Sequence, residues 1–227
     1  MKLAVIVTAG GSSSRYGKIN KLLEKINGRE VILYSIDAFL VFNPDEIVIS
    51  VSESLEPEIK NLIANDKILS QKVIKTVRGG DTRQASVYNA LKACDAPDLV
   101  AIHDAARPLV QSDDIKKCIQ KAVEYKAAIV AVKAIDTIKK VDDFGKIIET
   151  PERSSLWYVQ TPQIFAYDLI LDAHKKLAGE SFSDDAGMLE SLGVDVYISE
   201  GSYSNLKITT KKDIFIAQTL YSELNCK

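Results

Sequence analysis

Short apolar segments rich in Val and Ile alternate along this chain with segments of helical periodicity, and this alternation most constrains the fold. Continuous apolar strands are typical of a sheet that is covered by helices on both faces. The pattern therefore predicts an α/β protein with a Rossmann-like three-layer αβα arrangement around a mostly parallel, mixed sheet.

The predicted elements follow one another without a repeat, a low-complexity segment or a Pro/Gly-rich linker, which favours one domain over residues 1–227. Ser112, ahead of two acidic residues, is the expected N-cap of the fourth helix. The predicted strands span residues 3–8, 46–52, 73–77, 99–102, 128–132, 194–199 and 206–209. The predicted helices span residues 31–42, 58–64, 83–93, 115–125, 168–177, 184–192 and 213–224.

One stretch breaks the alternation. Residues 137–141 and 146–150 flank a turn that contains Gly145, a pattern that predicts a protruding β-hairpin arm at about residues 136–160. Because an isolated hairpin is only marginally stable in water, we expect this arm to pack on something, and a second copy of the chain is a candidate.

The charge balance excludes several classes of partner. Lys and Arg number 29 against 31 Asp and Glu, so the net charge of −2 provides no general field for nucleic acid or an anionic membrane. The apolar run after Lys2 is shorter than the roughly 7 to 15 residues of a secretory signal. The three cysteines lie far apart, which favours reduced thiols over disulfides or zinc. These features predict a soluble, cytoplasmic protein without a structural metal.

Ligands of open α/β sheets bind beyond the carboxyl ends of the strands, so the residues after each predicted strand are candidates for a site. After the first strand, Gly10 begins a run of small residues that could present backbone N–H groups to phosphate, and Arg15, Lys18 and Lys21 follow. A plain strand-to-helix turn with solvated lysines is the alternative.

Two familiar phosphate loops do not fit this segment. Ser12 stands where both the P-loop and the dinucleotide-binding fingerprint require a glycine, and Ile19 replaces the P-loop Ser or Thr. An NAD-dependent oxidoreductase is therefore disfavoured.

The sequence RGGDTRQAS, residues 78–86, again places glycines at a predicted strand end. Gly80, Asp81 and Ser86 could recognise the edge of a base, and Arg83 could hold the loop or a phosphate. The alternative is that Asp81 is simply a helix N-cap.

The sequence AIHDAARP, residues 101–108, is the third candidate. Asp104 at a strand end could bind hydrated Mg²⁺, and Arg107 offers a planar fork for phosphate or carboxylate. His103 is expected to be a packed or hydrogen-bonded histidine rather than a base. For His174, on a predicted helix, no partner can be inferred.

The fourth candidate is divided along the chain. Arg153 and Thr161 lie around the predicted hairpin, and Lys207 lies on a predicted late strand. Taken singly, such residues are usually surface charges or strand caps.

These four stretches, in this order and with these gaps, resemble the cytidylyltransferases of the glycosyltransferase-A-like nucleotidyltransferase superfamily. The chain is most similar there to the 2-C-methyl-D-erythritol 4-phosphate cytidylyltransferase family, on the motifs GGDTRQAS, HDAARP and QTPQIF. The resemblance extends from Ala4 to about Leu220 and implies a single nucleotidyltransferase domain that acts as a homodimer through its hairpin arm.

The resemblance also implies an activity. CTP and methylerythritol phosphate would react directly, with Mg²⁺ assistance, to give a cytidine diphosphate derivative and pyrophosphate in non-mevalonate isoprenoid biosynthesis. The alternatives are a ribitol 5-phosphate cytidylyltransferase and a CTP-binding regulatory protein without turnover.

The roles of individual residues follow only from the resemblance. The triphosphate loop would comprise Ala9, Gly10, Gly11 and Ser13, with Arg15 and Lys21 gripping the phosphates and stabilising the transition state. The cytidine pocket or its support would comprise Gly80, Asp81, Arg83 and Ser86, with Ala105 near the ribose and Asp104 holding Mg²⁺. The methylerythritol phosphate would contact Arg107, Thr137, Arg153 and Thr161, with Lys207 near the reacting phosphate.

The opening loop departs from the family pattern A-A-G-x-G-x-R-M. Gly10 replaces the second Ala, Ser13 the second Gly and Tyr16 the Met. Because Ser13 must reach the same backbone shape with a side chain present, weaker CTP binding is expected, while both cations remain.

Overall fold

A seven-stranded sheet forms the centre of the protein in a computed structural model that describes residues 1–10 and 20–225. The strands are β1 (Leu3–Ala9), β2 (Lys25–Ile26), β3 (Arg29–Glu30), β4 (Glu46–Val51), β5 (Ile74–Arg78), β6 (Leu99–Asp104), β7 (Ala127–Lys133), β8 (Lys140–Val141), β9 (Ile147–Glu149), β10 (Trp157–Ala166) and β11 (Tyr197–Glu200). The helices are α1 (Val31–Leu40), α2 (Glu56–Asn65), α3 (Arg83–Ala93), α4 (Ser112–Tyr125), α5 (Tyr167–Lys176), α6 (Asp185–Ser191) and α7 (Lys211–Asn225).

The strand order of the sheet is β11-β7-β10-β6-β1-β4-β5. The pairs β1–β4, β1–β6, β4–β5 and β7–β11 are parallel, whereas β10 runs antiparallel to both β6 and β7. The predicted fold class, a mostly parallel but mixed sheet, is confirmed.

Helices cover both faces of the sheet, as the apolar strands require. Successive residues of β1 point to opposite faces, so Val5 and Val7 belong to one buried cluster and Ile6 to the other. The first cluster includes residues of α1, α2, α4 and α7, and the second includes residues of α3, α5 and α6. The result is the expected three-layer arrangement.

Strand β10 was not predicted from the sequence. Its central residues Gln160, Thr161 and Pro162 interrupt any apolar pattern, and the pairing with β7 shifts register between Val159 and Gln163. Polar residues at these positions are nevertheless buried, because β10 lies between two other strands.

Two local predictions were wrong. Residues 206–209 form no strand, because they lie beside the backbone that turns away after β6, and the bond from Ile208 N–H to the Ala106 carbonyl (2.8 Å) is not continued as a ladder. Helix α4 begins at Ser112 itself, so the N-cap is Gln111, although Asp113 and Asp114 do occupy the first turn.

A β-hairpin is present within the predicted arm, although residues 157–160, which the prediction included in the arm, belong to β10 of the central sheet. Strands β8 and β9 pair antiparallel around a turn that contains Gly145 at a φ of 82°. Its apolar side chains Val141, Phe144, Ile147 and Ile148 are exposed, Phe144 to 96%. In the described part of the chain, no helix combines the length and apolar character needed to cross a membrane.

Candidate active site

The candidate site lies at the carboxyl ends of β1 and β6. The two strands are neighbours, and their register places Thr8 opposite Asp104 at this edge of the sheet. The Thr8 hydroxyl donates a hydrogen bond to Asp104 Oδ1 (3.3 Å), so the carboxylate is held at the position where open α/β sheets bind their ligands.

Three cationic side chains converge on Asp104. The Lys207 ammonium lies 2.7 Å from Oδ2, the Arg83 Nε lies 3.5 Å from Oδ1 and the Arg107 Nε lies 3.8 Å from Oδ2. They come from the segment before α7, the first turn of α3 and the loop after β6 respectively. The fold thus brings together four of the residues that the sequence singled out.

The cations determine the charge state of this carboxyl. Burial alone would raise the pKa of Asp104, but the charges of Lys207 and Arg83 outweigh burial and hold that pKa well below its ordinary value. Asp104 is therefore ionised at neutral pH. Arg83 also pairs with Asp185, so three cations face two carboxylates, and the remaining positive charge favours a phosphate ligand.

The side chains of Thr161 and His103 form a buried hydrogen-bonded pair behind the Asp104 carboxylate. The Thr161 hydroxyl oxygen accepts a bond from the Asp104 N–H (3.0 Å) and lies 3.0 Å from His103 Nδ1. His103 Nε2 lies 3.1 Å from the Arg107 carbonyl, which can only accept, so Nε2 carries the proton and Nδ1 accepts from Thr161. Burial lowers the pKa of His103 to about 4, in agreement with a neutral, structural histidine.

Asn205 connects β10 with the segment that carries Lys207. Its fully buried side-chain amide donates to Gln160 Oε1 and to the Thr161 carbonyl, both at 3.0 Å. The backbone carbonyl of Asn205 accepts from Arg107 Nη1 at 2.8 Å. Sequence analysis did not single out Asn205, because a polar residue in a predicted loop gives no sign that it is buried.

The two glycine-containing loops pack against each other through Ser86. The Ser86 hydroxyl accepts from the Gly80 N–H (3.0 Å) and donates to the Thr82 carbonyl (2.9 Å). A Cβ on Gly10 would lie 3.2 Å from the same hydroxyl oxygen, and one on Gly80 would lie only 2.4 Å from Ala85 Cβ. The close approach of these backbones is the physical reason for glycine here.

Three other predicted residues of these loops, Asp81, Ala9 and Ala105, make no side-chain contact with the Asp104 cluster that the structure records. Thr82, and not Asp81, is the side-chain cap of α3, accepting from the Ala85 N–H, and Asp81 is exposed. Ala9 and Ala105 are buried, and the Ala105 carbonyl accepts from Ser35. These two alanines thus lie beneath the surface of the site.

The opening loop is described only in part. Gly11, Ser13, Arg15, Tyr16 and Lys18 lie outside the described residues. The Lys21 ammonium donates to the Ile208 carbonyl at 2.8 Å, next to Lys207 in the chain. Two of the predicted phosphate-binding cations therefore meet at one backbone segment.

Thr137 and Arg153 lie in the segments that flank the hairpin arm and not in the cluster around Asp104. Both are exposed at the base of the hairpin arm, and Arg153 Nη1 donates to the Ile135 carbonyl at 3.1 Å. The structure does not join them to Asp104 through any contact among the described residues of one chain.

The fold and the site together define a class of protein. An α/β sheet that ends in glycine loops, one ionised carboxylate and converging cations is the arrangement of an enzyme that handles nucleotide phosphates.

Comparisons with known proteins are more specific. The family model for 2-C-methyl-D-erythritol 4-phosphate cytidylyltransferase matches residues 3–223. The protein of that name from Caldanaerobacter subterraneus is 41% identical over 224 residues, 96% of this chain and 98% of the relative. The one from Dictyoglomus thermophilum is 42% identical over 228 residues, 98% of this chain and 97% of the relative.

Solved structures agree. The 4-diphosphocytidyl-2C-methyl-D-erythritol synthase of Anaerococcus prevotii superposes with a TM-score of 0.86 at 31% identity, covering 97% of this chain and 98% of its own. The 2-C-methyl-D-erythritol 4-phosphate cytidylyltransferase of Thermus thermophilus superposes with a TM-score of 0.79 at 26% identity, covering 98% of this chain and 100% of its own. The chain belongs to the 2-C-methyl-D-erythritol 4-phosphate cytidylyltransferase family and is a nucleotidyltransferase.

Proposed function

We propose that this chain transfers a cytidylyl group from CTP to 2-C-methyl-D-erythritol 4-phosphate, giving 4-diphosphocytidyl-2-C-methyl-D-erythritol and pyrophosphate. This is a step of non-mevalonate isoprenoid precursor biosynthesis. The observation that carries the proposal is the cluster in which the ionised Asp104 meets Lys207, Arg83 and Arg107 at the carboxyl end of β6. Family membership supplies the identity of the two substrates.

The chemistry needs charge compensation more than proton transfer. A phosphate monoester oxygen is already anionic at neutral pH, so it attacks the α-phosphorus of CTP directly, and the bond to the bridging oxygen of pyrophosphate breaks. The main obstacle is the repulsion of two anions that must be held in line. Lys207, beside Asp104, orients the acceptor phosphate, and Lys21 with Arg15 neutralises the phosphates of CTP.

The two glycine-containing loops would form the binding surface for the nucleotide. Gly10 and Gly80 bring backbone close to Ser86, and the same lack of side chains allows phosphates and the cytosine ring to approach the backbone at these two glycines. Arg83 lies between carboxylates, so of the two roles that the sequence left open, support of the pocket fits its geometry better than phosphate binding.

Asp104 also fits the requirement of a magnesium ion. Mg²⁺ in phosphoryl transfer usually takes one or two carboxylates and completes its shell with phosphate oxygens and water. Asp104 provides one ionised carboxylate, and within residues 1–10 and 20–225 no group of three His, Cys, Asp or Glu side chains forms a complete protein cage. When bound, the ion would neutralise charge on the departing pyrophosphate.

The second substrate subsite would be completed by a partner copy of the chain. The arm exposes Phe144, Ile147 and Ile148, an apolar surface that association would bury. Thr137 and Arg153 at the base of the same arm would then contact the methylerythritol phosphate in the neighbouring site, as a homodimer. We place the reaction in the cytoplasm, for which the buried free thiols of Cys94 and Cys118 are suitable.

Pyrophosphate release tests the proposed function. The purified chain is incubated with CTP and Mg²⁺ and, in separate tubes, with methylerythritol phosphate or ribitol 5-phosphate. Release with methylerythritol phosphate alone is the expected result, whereas a preference for ribitol phosphate would transfer the assignment to that substrate. Binding of CTP without release in either tube would favour a regulatory protein.

A further inference from the structure

Helix α6 begins with a carboxylate that the mechanism above does not use. Asp185 is 1% exposed, and its backbone N–H donates to Gln163 Oε1 at 3.1 Å. The preceding Asp184 caps the helix by accepting from the Gly187 N–H (3.0 Å), and its other oxygen accepts from Gln163 Nε2 (2.7 Å). The start of α6 is thus fixed to β10 without any need for a charge on Asp185.

The charge of Asp185 is instead directed at Arg83. Arg83 Nη1 lies 2.7 Å from Asp185 Oδ2, while the Nε of the same guanidinium faces Asp104 Oδ1 at 3.5 Å. Lys207 follows on the other oxygen of Asp104 at 2.7 Å. The four side chains therefore form a row of alternating charges that runs from the interior to the site.

The other neighbour of Asp185 is also buried. His174 Nε2 lies 3.5 Å from Asp185 Oδ1, and the His174 ring stacks on Tyr88 of α3 with 5.8 Å between centroids. Packing of this kind prevents Asp185 from turning towards water. Arg83, whose guanidinium is always protonated, is the permanent cation beside the Asp185 carboxylate.

Burying a carboxylate is costly unless a cation compensates its charge, and Arg83 provides that cation for Asp185. A guanidinium is planar and its donors are fixed relative to one another, so the 2.7 Å ion pair between Nη1 and Asp185 Oδ2 restricts the direction of Nε. If Asp185 lost its charge, Arg83 would be free to close on Asp104 and compete there with Lys207.

We infer that Asp185 is a positioning residue which, through Arg83, holds Asp104 and Lys207 in the arrangement that orients the acceptor phosphate. This inference rests on the proposed function. A displacement of about 1 Å at a reacting group can cost roughly 100-fold in rate, so Asp185→Asn is expected to lower kcat by about 10- to 100-fold, with a smaller change in KM for CTP.

A double-mutant cycle in kcat separates positioning from general support. The variants are Asp185→Asn, Arg83→Gln and the two together, assayed by pyrophosphate release at a temperature where circular dichroism shows each to be folded. Because Asp185 acts through Arg83, the double variant is expected to be no slower than Arg83→Gln alone. Multiplication of the two single effects would overturn the inference, as would a kcat of Asp185→Asn equal to that of the unaltered chain.

Asp184→Asn is the matched control, since it weakens the same helix start but does not touch Arg83. It is expected to lower the unfolding midpoint while kcat stays within about twofold. An equal loss of kcat in Asp184→Asn would indicate general support and contradict positioning.

Two further outcomes are distinguishable. If Asp185→Asn does not fold, the double variant, which buries no unpaired charge, is compared with Arg83→Gln, and a clearly slower double variant would refute the inference. If the unaltered chain itself releases no pyrophosphate with either acceptor, the proposed function fails, which is a different result from any loss confined to the variants.

Discussion

Lys207 is the residue whose contacts most directly join the protein to its substrate. Its ammonium lies 2.7 Å from Asp104 Oδ2, yet the side chain is 42% exposed, so one side of the charge faces the carboxylate and the other faces the open site. An ammonium shared in this way can contact an incoming phosphate without leaving its partner.

Replacing Lys207 by Met keeps the length of the side chain and removes the charge. We expect kcat with methylerythritol phosphate to fall by about 100- to 1,000-fold, the usual cost of losing one donor that stabilises developing charge. Lys207→Arg, which keeps a positive charge beside Asp104, should retain more activity than Lys207→Met and leave the unfolding midpoint nearly unchanged. A Lys207→Met variant with kcat within threefold of the unaltered chain would contradict the role given to Lys207.

The thiols of Cys94 and Cys118 provide a prediction that is independent of catalysis. Burial raises the pKa of each to about 12, so the reactive thiolate is scarce at pH 8 in the folded protein. Iodoacetamide labelling followed by peptide mapping should find both residues protected in the native protein and labelled after denaturation. Rapid labelling of either in the native protein would show that the core is less closed than described.

Sequence analysis predicted a residue of the site correctly where that residue belongs to a recognisable motif or pattern. Asp104, Arg107 and Lys207 were singled out from the sequence, and the structure brings them together. Asp185 and Asn205 were not, because the sequence marks them only as polar residues near predicted helix starts or loops. Their burial depends on β10, whose position in the sheet no local pattern reveals.

At the scale of elements, the parallel strands and the helices between them followed directly from apolar periodicity. Helix α3 was predicted with its observed bounds, since its apolar residues recur on one face. Apolar periodicity did not reveal strand β10, because Gln160, Thr161 and Pro162 occupy its centre. The segment is buried because β10 lies between β6 and β7, and hydrogen bonds to neighbouring residues satisfy the polar groups of Gln160 and Thr161 there.

The junction of β5 and α3 allows a test of the glycine loops. A Cβ on Gly80 would lie 2.4 Å from Ala85 Cβ, a distance that requires the loop or the helix start to move. We expect Gly80→Ala to raise the dissociation constant for CTP by at least about tenfold, measured by isothermal titration calorimetry.

Gly179→Ala is the control for this substitution. A Cβ there would meet nothing within 4 Å, although its φ of 92° makes any side chain somewhat strained. CTP affinity should therefore be unchanged in Gly179→Ala. Equal CTP affinity in Gly80→Ala and the unaltered chain would show that the close packing at Gly80 does not shape the nucleotide pocket.

At the scale of the whole molecule, the exposed arm predicts association. Introducing charge with Ile147→Asp and Ile148→Asp should convert a dimer to a monomer in analytical ultracentrifugation, because the apolar arm surface is what association would bury. Phe215→Asp, on an exposed apolar residue of α7, is the matched control and should leave the mass unchanged. A monomeric unaltered chain with full activity would contradict the dimer.

Mixing two inactive variants tests whether the arm acts in the partner's site. Arg153→Ala and Lys207→Met each lose activity alone, but a heterodimer has one site that combines an intact Lys207 with the partner arm's intact Arg153. Partial activity should return after the subunits are mixed and exchanged. Failure of activity to return, with exchange verified by mass spectrometry, would place Arg153 in its own subunit's site or outside the site.

The central claim is the choice of acceptor, and direct competition tests it best. Equal concentrations of methylerythritol phosphate and ribitol 5-phosphate are supplied in one tube with CTP and Mg²⁺, and the cytidylylated products are quantified by mass spectrometry. The ratio of products gives the ratio of kcat/KM values. We predict a large excess of 4-diphosphocytidyl-2-C-methyl-D-erythritol; equal amounts, a ribitol excess, or consumption of CTP without either product would contradict the account.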